Sequence, residues 1–485
     1  MLRGRRALGR ACPGTRTLRS ALGALLALAL FATPAAAHSG SLRGTTRDPV
    51  TVPTWLFLLT GGAVVGVSFL LASFVTDRDL VAAGHDWGRP LPSPGRAAVA
   101  AGRLLAVAGL AAVLVAGWVG PSTAERNLAV LVVWAGWWGG YVAATYLVGD
   151  AWPALNPFRT VAERLPSLDR PYPDRLGAWP SVAGLLALVW VEVTMPLADD
   201  PRLLATAVAG YALVTVAGAV VVGPDRWFGS VDPVARLLAY YGRVAPLGRT
   251  DDGWRLRLPG GALAAPRPAD CADGGDASDE SPVRSAGDVA FVVAILFVTT
   301  YDGLVATGPW ATAVEALVGV GAPPMAVYLG AYLGGYALFL GAYRLAVRAA
   351  RRYGETYRTR AALARRFAPP LLAIAAGYHL AHNFGTVLTL APALATVAAN
   401  PLAPPVAPPL LVTPDWLSGV SLAAVLVGHL LAVWVAHAAA YDLFPDRLQA
   451  VRSQYGVTVV MVLFTMLSLW IVAEPYVPPP YIVTP

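Results

Sequence analysis

Apolar runs long enough to cross a bilayer recur about ten times in this chain of 485 residues. They lie near 54–75, 104–120, 127–148, 177–196, 202–222, 289–307, 324–346, 369–390, 416–438 and 455–473. The expected fold class is therefore an all-α integral membrane protein, a helical bundle of about ten transmembrane helices. Composition agrees, since 56% of the residues are hydrophobic and 13% charged, far from the soluble average.

Charge then orients the bundle. Every basic residue is Arg, and the net charge is +7. That excess is no sign of nucleic acid, because the Arg side chains sit in the connections between runs. The implied partner is the lipid bilayer. Alternate connections are basic: Arg78, Arg89, Arg96 and Arg103 in one, Arg159, Arg164, Arg170 and Arg175 in the next. Arg226, Arg236, Arg243 and Arg249 follow, then a dense run from Arg344 to Arg366. The intervening connections are nearly bare, with no Arg in 308–323 or 391–415. Positive residues stay inside, so ten spans put both mature termini outside the cytoplasmic membrane. Trp55, Trp118, Trp179, Trp310 and Trp416 stand near span ends, as interfacial anchors do.

The N-terminus reads independently as a cleaved signal peptide over 1–37. An Arg-rich start precedes the apolar run Ala21 to Thr33, then Pro34 and Ala35-Ala36-Ala37. Cleavage after Ala37 makes His38 the first mature residue, and its amine and imidazole together suit Cu(II). Cys12 is lost with the signal, so Cys271 has no partner for an internal disulfide. Residues 38–485 form the polytopic domain. Within it, 243–288 is polar and acidic (Asp270, Asp273, Asp276, Asp279, Glu280) and reads as a mobile cytoplasmic loop.

Four of the six histidines fall inside two spans. Imidazole at membrane depth is costly and usually binds or moves something. His379 and His382 are three apart, on one helix face. His429 and His437 are eight apart, about 80° round and about 12 Å along an ideal helix. Counted from the inner ends of their antiparallel spans, His379 and His429 match in depth to within a turn. His379, His382 and His429 are thus expected to converge near the midplane, with His437 as a second, inner position. Neutral imidazoles ligate Zn, Cu or Fe, while haem b would take one axial ligand from each helix, His379 and His429. The bland alternative is hydrogen bonding between helices. No Cys-x-x-Cys-His run occurs, which excludes c-type haem.

Few other polar groups lie at depth. Asp302, in Tyr301-Asp302-Gly303, is the candidate general base or carboxylate partner of an imidazole ligand. Glu192 lies toward the outer end of the fourth run. Asp150 and Asp442 sit at inner ends, where solvation explains them.

These residues together resemble a family of polytopic membrane proteins from actinobacteria and haloarchaea commonly labelled fenitrothion hydrolase. The resemblance runs over most of the mature chain. It begins with His38-Ser39-Gly40 and Val52-Pro53-Thr54-Trp55-Leu56-Phe57. It continues through Gly149-Asp150, Asn156-Pro157-Phe158-Arg159, Trp179-Pro180, Glu192 and Tyr301-Asp302-Gly303. The His379-x-x-His382 pair and the Gly428-His429 to His437 run are its most specific elements. Ala438-Ala439-Ala440 departs from the more polar residues of the family. The resemblance implies a hydrolase of organophosphate-type esters. No Gly-x-Ser-x-Gly elbow occurs, so a serine nucleophile of that kind is not expected. The chain thus carries three readings: an intramembrane haem or transition-metal protein, a membrane-embedded metal-dependent hydrolase, and a metal or small-solute transporter. The absence of an evident inverted repeat weighs against the last.

Overall fold

The computed structural model describes residues 53–482 apart from 80, 82, 84–86, 251–252, 265–282 and 415. The expected signal peptide, His38, both cysteines and the acidic middle of the 243–288 loop lie outside the described residues.

Each of the ten predicted runs is a helix. In chain order these are α1 (Thr54–Phe74), α2 (Arg96–Val119), α3 (Leu128–Leu147), α4 (Trp179–Thr194) and α5 (Pro201–Val222). A shorter amphipathic helix follows, α6 (Pro233–Tyr241). Then come α7 (Ala286–Leu304), α8 (Gly308–Gly319), α9 (Pro324–Tyr353) and α10 (Arg360–Phe367). The last are α11 (Pro370–Ala399), α12 (Leu417–Leu443), α13 (Arg447–Ser453) and α14 (Tyr455–Ala473). Among the described residues eight helices are long and apolar enough to cross a membrane, α10 with α11 and α13 with α14 each counting as one. The described stretch Leu58–Phe74 of α1 and helix α4 are apolar but shorter.

Local chemistry explains the helix starts. The Asp200 side chain accepts from the amides of Arg202 (2.9 Å) and Leu203 (3.0 Å) and opens α5. Ser285 and Asp288 form a reciprocal capping box that opens α7.

Helix α7 is the axle of the bundle. Nearly every residue from Gly287 to Tyr301 is buried, which requires a helix apolar all round. Helices α2 and α5 sit outermost, with Leu104, Leu105 and Leu213 each more than 70% exposed. Such surfaces suit lipid tails rather than water.

Helices α11 and α12 touch through bare backbone. An added Cβ on Gly377 would lie 3.0 Å from Gly428 Cα, and one on Gly428 2.6 Å from the Ala373 carbonyl. Small residues at a crossing let two membrane helices meet by dispersion, as lipid offers no hydrophobic gain for helix pairing.

The connections sort into two sets. The 243–288 segment, read above as a loop, carries β2 (Leu247–Thr250) and β3 (Gly253–Arg257). They join β1 (Gly88–Leu91) in an antiparallel sheet of order β1-β3-β2. Leu263, Ala264 and Val283 of the same segment are buried. The polar composition of its middle hid these short apolar ends. The sheet ties the connection after α1 to that after α5, and a bridge from Gly149 to Leu247 adds the one after α3. Arg78 donates to the carbonyls of Tyr441, Phe444 and Pro445 around the end of α12, and Arg366 pairs with Asp442 at 2.6 Å. The other set behaves likewise. Arg126 donates to the carbonyls of Pro404 (3.1 Å) and Pro405 (3.0 Å), and Val477 N–H to Ala306 (2.9 Å).

Candidate functional site

A cavity of about 660 Å³ lies among α2, α3, α4, α5, α6, α7 and α11. Its wall is apolar and aromatic, and its polar members include Glu192, Asp302, His379, His382 and Asn383. No Arg is among its lining residues.

Asp302 is in the last turn of α7 and His382 in the middle of α11. His382 Nε2 stands 3.2 Å from Asp302 Oδ2, and both side chains are largely buried. The neighbouring glycine makes this approach possible. A Cβ on Gly303 would collide with the Tyr378 hydroxyl and lie 2.8 Å from Ile471 Cγ2. With hydrogen there instead, Tyr378 lies against α7, and His382, one turn on, reaches the carboxylate. The Tyr378 ring runs nearly parallel to the imidazole, 15° apart with centroids at 6.1 Å.

His379, on the same face, is held by α3. The Tyr146 hydroxyl lies 3.0 Å from its Nδ1, and the rings of Trp138 and Tyr146 meet it edge-on at 5.1 and 5.7 Å. Its Nε2 is buried without a hydrogen bond among the described residues. Asn383 donates to the His379 carbonyl at 3.0 Å, an intrahelical bond that steadies this turn.

Helix α3 supplies the aromatic wall. Its stretch Val132–Tyr141 is π-helical, a form often found at functional sites. Trp134, Trp137, Trp138 and Tyr141 all line the cavity, with Trp152 beyond the helix end. Gly139 in this stretch packs on α11, where an added Cβ would strike Val387. Sequence alone does not single out these aromatics. Their signal was the density of Trp in one span, which by composition alone reads as ordinary bundle core.

Just past α3, outside the span, Asp150 is part-buried, and burial pushes its carboxyl up to about 6. The amide of Trp152 donates to it at 2.8 Å and partly opposes that rise.

The other histidines do not join this site. His429 is fully buried, and its Nδ1 donates to the Val425 carbonyl at 2.8 Å, one turn back in α12. It is not among the cavity residues. The expected convergence of His379, His382 and His429 is corrected by the Gly377–Gly428 contact. At about 100° per residue, His379 lies about 160° from the α11 face that meets α12. Matching depth does not bring two side chains together when they point to different sides. His437 is also buried. Its Nε2 donates to the Val75 carbonyl at 3.0 Å, and Gln454 Nε2 stands 3.3 Å from its Nδ1. Both ring nitrogens are thereby used in tying α1 to α12 and α13, so the second, inner ligand position is instead a structural tie.

Among the described residues no group of three or more His, Cys, Asp or Glu stands close enough to hold a metal ion. Helix orientation separates His379 from His429 as an axial pair, and the cavity lining has no Arg to meet haem propionates. No family model, curated protein or solved structure matches the chain.

Proposed function

We propose that this multi-pass membrane protein binds a neutral, largely apolar molecule drawn from the bilayer and hydrolyses an ester bond in it. The observation that carries the reading is the Asp302–His382 pair in the wall of an apolar cavity. In this pair the His382 imidazole is the group that takes a proton. A water deprotonated there attacks the ester carbonyl or phosphoryl centre, and the alcohol or phenol leaves with a proton returned from the imidazolium. Asp302 orients the ring and stabilises its charged form. The aromatic wall and the lack of Arg favour an uncharged substrate, which agrees with the organophosphate-type ester implied by the family resemblance.

Access from lipid is supported by Leu105, which lines the cavity and is also 71% exposed on the outer face of α2. Ten spans, with both mature termini outside after signal cleavage, complete the reading. The two sets of connections support it, since each holds to its own members as alternating crossings require.

The test is turnover of a neutral aryl ester by purified protein in liposomes. His382→Ala and Asp302→Asn are expected to lower kcat by about 10²-fold or more, the usual worth of a general base. His437→Ala should leave turnover unchanged and lower the thermal midpoint, through loss of its ties to Val75 and Gln454. Wild-type turnover in both site variants would overturn the hydrolase. A Soret band or stoichiometric metal in the wild-type protein, lost in His379→Ala, would replace it with a haem or metal protein.

A further inference from the structure

A second concavity, of about 510 Å³, lies where α9 ends and α10 begins. Four guanidinium groups line it, from Arg348, Arg351, Arg352 and Arg360, against the single carboxylate of Glu355. None of the four makes an ion pair among the described residues. Elsewhere in the chain Arg103, Arg159, Arg236 and Arg366 all have carboxylate partners. Arg351 and Arg352 stand three and four residues beyond Arg348, so each neighbours it on α9 and repels it. A cluster of this kind is stabilised by an anion, and planar guanidinium forks match phosphate oxygens.

Length places the cluster in the membrane. Helix α9 has 30 residues. At about 1.5 Å per residue, Arg348 to Arg352 lie roughly 36–42 Å from its start. A hydrocarbon core of about 30 Å lies within about 40–45 Å of total bilayer, so that level is the headgroup layer. Tyr357, wholly exposed beside the cluster, is the residue type enriched at that level. The concavity is also built rather than loose. The Tyr343 hydroxyl donates to the Ala364 carbonyl and ties α10 to α9, while Arg366 and Asp442 tie α10 to α12.

We propose that this concavity binds the phosphate of an anionic membrane lipid. The site is separate from the cavity above and does not depend on the hydrolase reading. The experiment is the thermal midpoint of the full chain in neutral detergent, titrated with phosphatidylglycerol, phosphatidylcholine or inorganic phosphate. Phosphatidylglycerol is expected to raise the midpoint saturably, because a ligand of the folded form stabilises it. Phosphatidylcholine should not, since its headgroup cation meets the same four Arg. The triple variant Arg348→Gln, Arg351→Gln, Arg352→Gln should weaken the lipid effect by about tenfold or more, as the charge-assisted bonds are lost. Arg360→Gln alone, on the short helix, should give a smaller loss with an unchanged midpoint in lipid-free detergent. Equal stabilisation by inorganic phosphate would overturn the lipid as the source of the phosphate. No lipid effect, or one unaltered in both variants, would overturn the site.

Discussion

Asp150 shows how burial of one carboxyl sets a pH dependence. Its value rises from 3.8 to about 6 because burial disfavours the anion. The folded form therefore holds the proton more tightly than the unfolded one. Its contribution is most favourable below the unfolded value and is lost as pH rises through about 4 to 6. Asp150→Asn keeps an oxygen acceptor for the Trp152 amide and removes the titration. The variant is expected to gain about 1–3 kcal/mol over wild type at pH 7.5, the order implied by a shift of about two units. At pH 4 that advantage should vanish. Unfolding in detergent at both values measures it, and a difference that does not change with pH would show that the carboxyl is not buried as described. His437 and His429 teach a related lesson. As residue types they are identical to His379, and only their partners separate a tie between helices from a cavity residue.

Among the elements, the α11–α12 pair carries the clearest energetic consequence. The chains approach at Gly377 and Gly428 so closely that any side chain there must displace backbone. Gly428→Leu is expected to cost at least about 1–3 kcal/mol, the range for overpacking a tight interior. Gly419→Leu, on the same helix where an added Cβ meets nothing within 4 Å, is the control and should be nearly neutral. The thermal midpoints of the two variants measure this, and equal loss in both would mean that the crossing lies elsewhere. Both glycines were visible in the sequence beside the histidines. Their role was not, because a glycine in a membrane span marks a crossing, a kink or nothing until a partner helix is placed against it. The π-helical stretch of α3 was equally hidden, since its Trp-rich pattern fits any buried helix.

For the whole molecule, the two sets of connections fix which ends share a side. The connections after α1, α3, α5 and α12, and that joining α9 to α11, bond to one another, directly or through a shared neighbour. Those after α2 and α11 meet each other, and the C-terminal tail meets the one after α7. The Arg-rich connections are in the first set, so under the positive-inside rule we propose that this set faces the cytoplasm. A single Cys at Arg358, in a background with Cys271→Ser, is expected to resist an impermeant thiol reagent on intact cells and to react after lysis. Labelling on intact cells would invert the orientation.

Hydropathy is a sum over neighbours along the chain, so the helical class and the position of every apolar run could be read without a fold. The same holds for the basic connections, because the membrane selects charge loop by loop. The partners of the four intramembrane histidines could not be read this way. Depth follows from counting residues, but the angle of a side chain about its helix depends on which face the neighbouring helix occupies. A contact between two glycines sets that face for α11, and the hydrogen at Gly303 admits Tyr378 and brings Asp302 to His382. Those contacts join residues far apart in the chain, and the cavity exists only where seven helices leave space between them.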